Sequence, residues 1–244
     1  MSVESYAASA LILLCAYFIR GISGFGSGLI AMPLLALWQP LQFVVPLMLL
    51  LDFSASLLLG GVNLRQVNWR EIRVLLPFTV GGVWLGTTLL LHLPVKPMLI
   101  MLAIFVGAFA LRSLLNLHGD KTISRWWAAP AGLAGGTVGA LFGTGGPPYV
   151  IYLTHRIHEK GPLRASFSGL FFIEGLLRIA SFTLVGLLAD PRVWWGFLLS
   201  VPMMVGGLML GSRVHVGISR DQLTRLIGLL LLGSSISLLV RAFN

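Results

Sequence analysis

Four ionisable side chains sit where water is scarce: Arg20, Asp52, Glu174 and Arg178 each fall inside a long apolar stretch. A charge at the centre of a bilayer costs at least ~2.5–3.5 kcal/mol on insertion scales, so each needs a partner or a task. Glu174 and Arg178 are four residues apart and share a helix face. Asp52 occupies the middle of its segment, and Arg20 comes just before a run of glycines. Two uses follow. In the structural one, internal ion pairs neutralise each other and hold helices together. In the functional one, an arginine attracts an anion while a carboxylate carries a coupling proton. The i,i+4 spacing gives Glu174 and Arg178 a partner without any ligand, which favours the structural use for that pair. Arg20, beside the glycines, is expected to serve an anion.

The second source of chemistry is backbone. Two of the apolar stretches are interrupted near their middle, by Ser23-Gly24-Phe25-Gly26-Ser27-Gly28 and by Gly143-Thr144-Gly145-Gly146-Pro147-Pro148. Glycine weakens a helix interior by ~1 kcal/mol and proline by ~3, so neither stretch continues as one helix. Irregular backbone at membrane depth is tolerated only where protein or a water-filled cavity satisfies it. Broken helices there present free N–H groups and helix N-termini, and both favour an anion. Glycine also lets a ligand approach the backbone closely. The expected binding residues are therefore Arg20, Ser23, Gly24, Gly26, Ser27, Gly143, Thr144, Gly145 and Gly146. Asp52, Glu174 and Arg178 form the coupling or ion-pair set. Gly82, Gly86, Gly207 and Gly211 are instead read as places where helices pack closely.

These residues need a membrane fold to hold them. The chain has 244 residues, 57% of them apolar and 10% charged. A soluble domain carries roughly 25% charged residues, so an ordinary soluble domain is excluded, and so is disorder. The single cysteine, Cys15, excludes an internal disulfide and a cysteine-based metal cage. No metal or other cofactor is expected. The net charge of +9 reads as basic cytoplasmic loops rather than as nucleic-acid binding. The N-terminus lacks the basic start of a signal peptide.

Eight apolar segments span residues 6–37, 41–62, 74–92, 97–115, 126–154, 165–189, 193–211 and 223–240 of a single membrane domain over residues 1–244. The segments containing the glycine breaks are too long for one ordinary crossing and too short for two, which would need ~40 residues. The sequence also repeats. Pro77–Thr87 matches Pro202–Ser212 at six of eleven positions, Trp69 matches Trp194 at the same offset, and Gly24-x-Gly26 matches Gly143-x-Gly145. Residues 6–115 and 126–243 are read as two copies of one unit.

Loop charges choose between topologies. If every segment crosses once, the basic residues of the loops and ends divide eight against seven. If the two glycine-broken segments are hairpins that leave on the side they entered, the division becomes twelve against three. The second is the asymmetry of the positive-inside rule. Each copy is then a re-entrant helical hairpin plus three transmembrane helices. Three is odd, so the copies are inverted and both termini face the periplasm. That all-α architecture of inverted repeats is common among secondary transporters.

Weaker features fit the same frame. His155 and His158 fall in a basic loop and are read as solvated rather than as metal ligands, and Trp126, Trp127, Trp194 and Trp195 sit at segment ends as interfacial anchors.

The run Gly24-Phe25-Gly26-Ser27-Gly28-Leu29-Ile30-Ala31-Met32-Pro33-Leu34, the second run Gly143-Thr144-Gly145-Gly146-Pro147 and a basic loop after the first pair of segments resemble the TauE/SafE sulfite-exporter family over nearly the whole chain. The second run departs from the family's usual glycines by placing Pro147 and Pro148 after Gly146. The resemblance implies a permease of the bacterial inner membrane for sulfur-containing or organic anions, such as sulfite, sulfoacetate or other sulfonates. The reading is then a secondary transporter working by alternating access, with a small anion and the lipid bilayer as partners and a proton as a possible coupling ion. The alternatives are an intramembrane enzyme acting on an anionic lipid and a membrane assembly factor. The paired glutamates and Ser-Arg-Ser run that undecaprenyl-diphosphate phosphatases need are absent, as is an HExxH zinc motif.

Overall fold

A computed structural model describes residues 3–23, 26–58, 65–114, 123–213 and 220–243. Nearly all of them are helical, and no strand occurs among them. Ten α-helices follow in order: α1 Val3–Ser23, α2 Ser27–Leu35, α3 Leu41–Leu58, α4 Trp69–His92, α5 Val95–Leu114, α6 Ala128–Phe142, α7 Gly146–Arg156, α8 Lys160–Leu184, α9 Pro191–Arg213 and α10 Arg220–Phe243. A single 3-10 turn, Arg125–Trp127, leads into α6. Four helices (α3, α4, α8 from Gly161, and α9) are long and apolar enough to cross a membrane, and shorter apolar helices lie at Tyr6–Ile22, Val95–Leu111 and Leu231–Phe243.

Hydrophobic runs located the helices but misplaced several ends. Helix α4 begins at Trp69 rather than 74, because Asn68 caps it by accepting from the Glu71 N–H. That takes Arg70, Glu71 and Arg73 out of a loop and into the first helical turns. Helix α8 begins at Lys160 and ends at Leu184, where Gly186 adopts φ +79° and turns the chain. Charged first turns are helical yet invisible to an apolar-run reading. Asp190 precedes Pro191, the first residue of α9, and its Oδ1 accepts from the Arg192 N–H at 2.9 Å. The same Arg192 holds the Asp190 carboxyl below its ordinary titration range, mainly through a side-chain hydrogen bond.

Both expected breaks are present, and both depend on backbone that glycine alone adopts readily. Gly26 precedes α2 at φ +95°, and Gly143 ends α6 at φ +67°. Each break turns the chain back on itself. The Trp38 indole N–H, just beyond α2, donates to Ser9 near the start of α1 at 3.3 Å. Arg156, the last residue of α7, donates to the Ile123 carbonyl, just before the turn into α6, at 3.0 Å. Thus α1–α2 and α6–α7 are hairpins whose feet meet. At 21 residues α1 is longer than an arm of 6–19 would be, with a rise of about 31 Å at 1.5 Å per residue. The proline pair also finds its explanation here: Pro147 and Pro148 occupy the first turn of α7, where N–H groups lack helical partners anyway.

The packing between helices is reciprocal. Helix α4 lies along α6, α9 lies along α1, and α5 lies along α10. Glycine permits the first two approaches. A Cβ on Gly82 or Gly86 would strike the α6 backbone at Leu133 and Thr137, and one on Gly207 or Gly211 would strike the α1 backbone at Leu14 and Phe18. These four glycines are close-packing positions. The main core lies between these pairs and includes Tyr17, Met32, Met48, Leu51, Phe142 and Phe182. The outward faces carry large exposed apolar side chains such as Trp84, Leu184, Trp195 and Leu199, as lipid contact requires. Trp126, Trp127, Trp194 and Trp195 are all exposed.

Candidate functional site

The two hairpin tips touch. A Cβ on Gly28, in the first turn of α2, would run into the carbonyl oxygen of Gly143 at the end of α6. Beside this contact lies a cavity of about 100 Å³ whose lining includes Arg20, Gly26, Gly28, Asp52, Gly143, Thr144, Gly145, Gly146, Glu174 and Arg178. At ~30 Å³ per water it has room for an ion of a few heavy atoms. Leu29, Leu49, Phe53, Phe109, Val150 and Phe171 complete its wall and make the rest of it apolar. Residues far apart in sequence thus converge from α1, α2, α3, the α6–α7 break and α8. Of the expected site residues, Gly24 and the side chain of Ser23 lie outside the described residues. Ser27 sits beside the cavity, in the network around Arg20 and Asp52.

That network is saturated. Arg20 Nη1 binds Asp52 Oδ1 at 2.5 Å and Ser27 Oγ at 3.0 Å, while Nη2 binds the Asp52 carbonyl at 3.1 Å and Ser56 Oγ at 2.7 Å. Asp52 Oδ1 also accepts from the Tyr17 hydroxyl and the Ser27 hydroxyl, each at 2.7 Å. Only Nε of the guanidinium lacks a partner. The cluster therefore ties α1, α2 and α3 together around the first break. Tyr17 and Ser56 were not singled out from sequence. A signal existed: each lies one helical turn from a charged residue, Tyr17 three before Arg20 and Ser56 four after Asp52.

Around the second break the arrangement is open. Arg178 Nη1 lies 3.7 Å from Glu174 Oε1, close enough for an ion pair but too far for a hydrogen bond. Both residues are about 5% exposed. Arg178 Nε and Nη2, Glu174 Oε1 and the Thr144 hydroxyl are all buried without a hydrogen-bond partner. Buried polar groups in folded proteins are nearly always paired, so these orphans, with Arg20 Nε beside the same cavity, are groups that a polar ligand or ordered water can satisfy. Nε and Nη2 form one edge of the planar guanidinium, which matches two oxygens of one oxyanion. The glycines here differ in role. Gly145 is packed so that a Cβ would strike the Gly135 carbonyl, and a Cβ on Gly139 would strike the Glu174 carboxylate. Gly26 has open space around it, and only its backbone angle demands glycine.

A second polar cluster escaped sequence reading. Glu71, 3% exposed, accepts from Tyr152 at 2.6 Å, Arg156 at 2.9 Å and Arg125 at 3.1 Å. One turn along, Tyr149 donates to Thr79 at 3.3 Å. Together these bonds fasten α7 to α4 and to the turn before α6. Glu71 was hidden because it lies at a helix start that the apolar run did not cover. Among the described residues, no group of three His, Cys, Asp or Glu side chains is placed to hold a metal ion.

The family model described as "Sulfite exporter TauE/SafE" matches residues 9–238. A protein of Comamonas testosteroni called "Probable inner membrane transporter protein TsaS" is 30% identical over 195 residues, which covers 79% of this chain and 81% of that protein. No solved structure matches the chain significantly.

Proposed function

Because the chain belongs to the TauE/SafE sulfite exporter family, we propose that it is a multi-pass transporter of the bacterial inner membrane that moves a small oxyanion by alternating access. The anion seats between the hairpin tips, on the free edge of Arg178 and the Thr144 hydroxyl. The observation that carries this reading is the set of unpartnered buried donors in one cavity at the meeting point of two helix breaks. Substrates are small sulfur oxyanions, organosulfonates or organic acids. Arg20 is assigned a structural task in place of the anion contact expected from its position, since its Nη donors are already committed.

The reciprocal packing supports two inverted repeats, residues 6–115 and 126–243, each with a re-entrant hairpin and three crossings. The meeting of the hairpin feet supports re-entry on the side of departure. The twelve-to-three division of basic residues supports the orientation in which both termini face the periplasm. Alternating access then moves one repeat against the other about the tips.

Uptake into proteoliposomes of a panel comprising sulfite, sulfonates and carboxylates tests the proposal. At least one should be concentrated by the wild type. Arg178→Lys, which keeps the charge and loses the fork, should raise KM by about ten- to a hundred-fold, the worth of a charged hydrogen bond. Thr144→Val should weaken it less. Wild-type transport by both variants would remove this site from the proposal.

A further inference from the structure

We infer that Glu174 takes up one proton for each anion seated on Arg178, so that the occupied site holds an uncharged Glu174 carboxyl beside the anion–guanidinium pair. This deepens the transporter reading and rests on it. The argument is a charge inventory of the cavity. Its lining contains four charged groups, Arg20, Asp52, Glu174 and Arg178, and their formal charges sum to zero. Arg20 and Asp52 are closed on each other: both terminal nitrogens of Arg20 are bonded, and Asp52 Oδ1 also accepts from Tyr17 and Ser27, which leaves Arg20 only its single Nε. They contribute no free charge to a ligand. Arg178 is then the one cation with a bonding edge to offer, and Glu174 already leans on its other side through the single 3.7 Å approach of Nη1.

Geometry keeps the acid and the ligand edge apart. The Glu174 carboxylate is turned against α6 at Gly139, where the missing Cβ makes the space for it. The Arg178 guanidinium reaches the other way: Nη2 approaches the α6–α7 break at Gly143, and the head group lies 5.8 Å from the Phe182 ring. An anion can therefore occupy the Nε–Nη2 edge while Glu174 stays where it is. With Glu174 ionised, one guanidinium would face two negative groups in a buried cavity, where their mutual repulsion is weakly screened. A proton on Glu174 removes the excess charge without moving any helix. The Glu174 carboxylate, whose Oε1 has no hydrogen-bond donor, becomes the protonation point, and the proton comes from the water that delivers the anion and leaves with it on the other side. A monoanion then crosses with no net charge.

The other groups facing Glu174 do not take over this role. Asp52 on α3 is its charged neighbour across the cavity, and that residue is spoken for by Arg20. Tyr149 on α7 is its phenolic neighbour, and its hydroxyl is bound to Thr79 of α4. Helix α6 faces it with Gly139.

The test uses purified full-length protein and two anions that do not titrate from about pH 6 to about pH 9, methanesulfonate and acetate. Affinity is measured across that range, and proton uptake is read from binding heats in buffers of different ionisation enthalpy. In the wild type, affinity should fall by up to about tenfold per pH unit on the alkaline side, with close to one proton taken up per anion there. Glu174→Gln should bind with the wild type's low-pH affinity at every pH and take up no proton. Asp52→Asn, if it folds, should keep the wild-type slope. A pH-independent wild type, or a slope that survives in Glu174→Gln, overturns the inference and leaves the anion site standing. Should Glu174→Gln fail to fold, the wild-type slope and proton count still decide. If neither anion binds at any pH, the anion-site reading itself falls, and this inference with it.

Discussion

Two arginines of equal charge and similar burial line one cavity, and their donor geometry separates them. Arg20 spends both terminal nitrogens on four acceptors, whereas Arg178 keeps Nε and Nη2 unbonded. Substitution at Arg20 should therefore register in stability. Arg20→Gln strands Asp52, and breaking a buried ion pair in this way costs ~3–5 kcal/mol. Thermal denaturation of the purified variant should show that loss, while the substrate affinity of the folded fraction stays within about threefold of the wild type, because removing a saturated group leaves the ligand's own donors in place. A large loss of affinity in stable Arg20→Gln protein would return Arg20 to the anion. The 174/178 pair behaves in the opposite way. Glu174→Gln with Arg178→Met removes both charges and should fold, as matched removal of a buried pair often does. It should nonetheless fail to transport, and normal transport would make that pair structural.

At the scale of elements, the glycines divide by what surrounds them. Gly82 and Gly86 on α4, and Gly207 and Gly211 on α9, hold two helices at backbone contact distance. Gly82→Leu should reduce the yield of folded protein, since a side chain there must displace the α6 backbone. A Cβ on Gly26 would meet nothing within 4 Å, so the demand for glycine there comes from φ +95°. Gly26→Asn should therefore be tolerated better than Gly26→Val, because asparagine visits the left-handed region far more readily than a β-branched residue. Comparing detergent-extracted, monodisperse yields of the three variants checks both statements. Equal yields for Gly26→Asn and Gly26→Val would show that the backbone angle is not what requires glycine. The Glu71 cluster belongs to this scale too. It fixes the foot of α7, whose other end starts at the cavity, so the position of the second tip depends on a carboxylate some eleven residues of helix away.

For the whole molecule, the decisive property is which side the chain ends on. In the proposed topology the hairpins return to their starting side, which would leave six crossings with both termini in the periplasm. A C-terminal alkaline phosphatase fusion should be active and a C-terminal fluorescent-protein fusion dark. The reverse pair of results would overturn the periplasmic placement of the C-terminus. An N-terminal reporter then separates a chain inserted the other way round, with both ends on one side, from one in which a hairpin crosses and the ends lie on opposite sides.

Much of this protein was legible from residue order because the bilayer makes simple demands. Apolar runs gave the helices, since unsatisfied backbone in lipid leaves few other forms. Clustered glycines gave both breaks, because their cost to a helix is local and additive along the chain. The family resemblance rested on those same short runs, and the family match over residues 9–238 agrees with it. Helix ends were less legible, as at Trp69 and Lys160, where charged residues are helical beyond the apolar run, at Trp69 with Asn68 as the cap. Partner choice was not legible at all. Spacing offered Glu174 and Arg178 to each other and left Arg20 beside the glycines, but spacing carries no information about which atoms meet across a separation of 32 positions. Only the packing of α3 against the first hairpin brings Asp52 to Arg20 and closes that pair, and only the turn of Glu174 toward Gly139 leaves an edge of Arg178 open. Hydrogen-bond saturation is a property of three-dimensional neighbours, so which arginine is bonded through both terminal nitrogens and which keeps an open edge was decided by the tertiary structure.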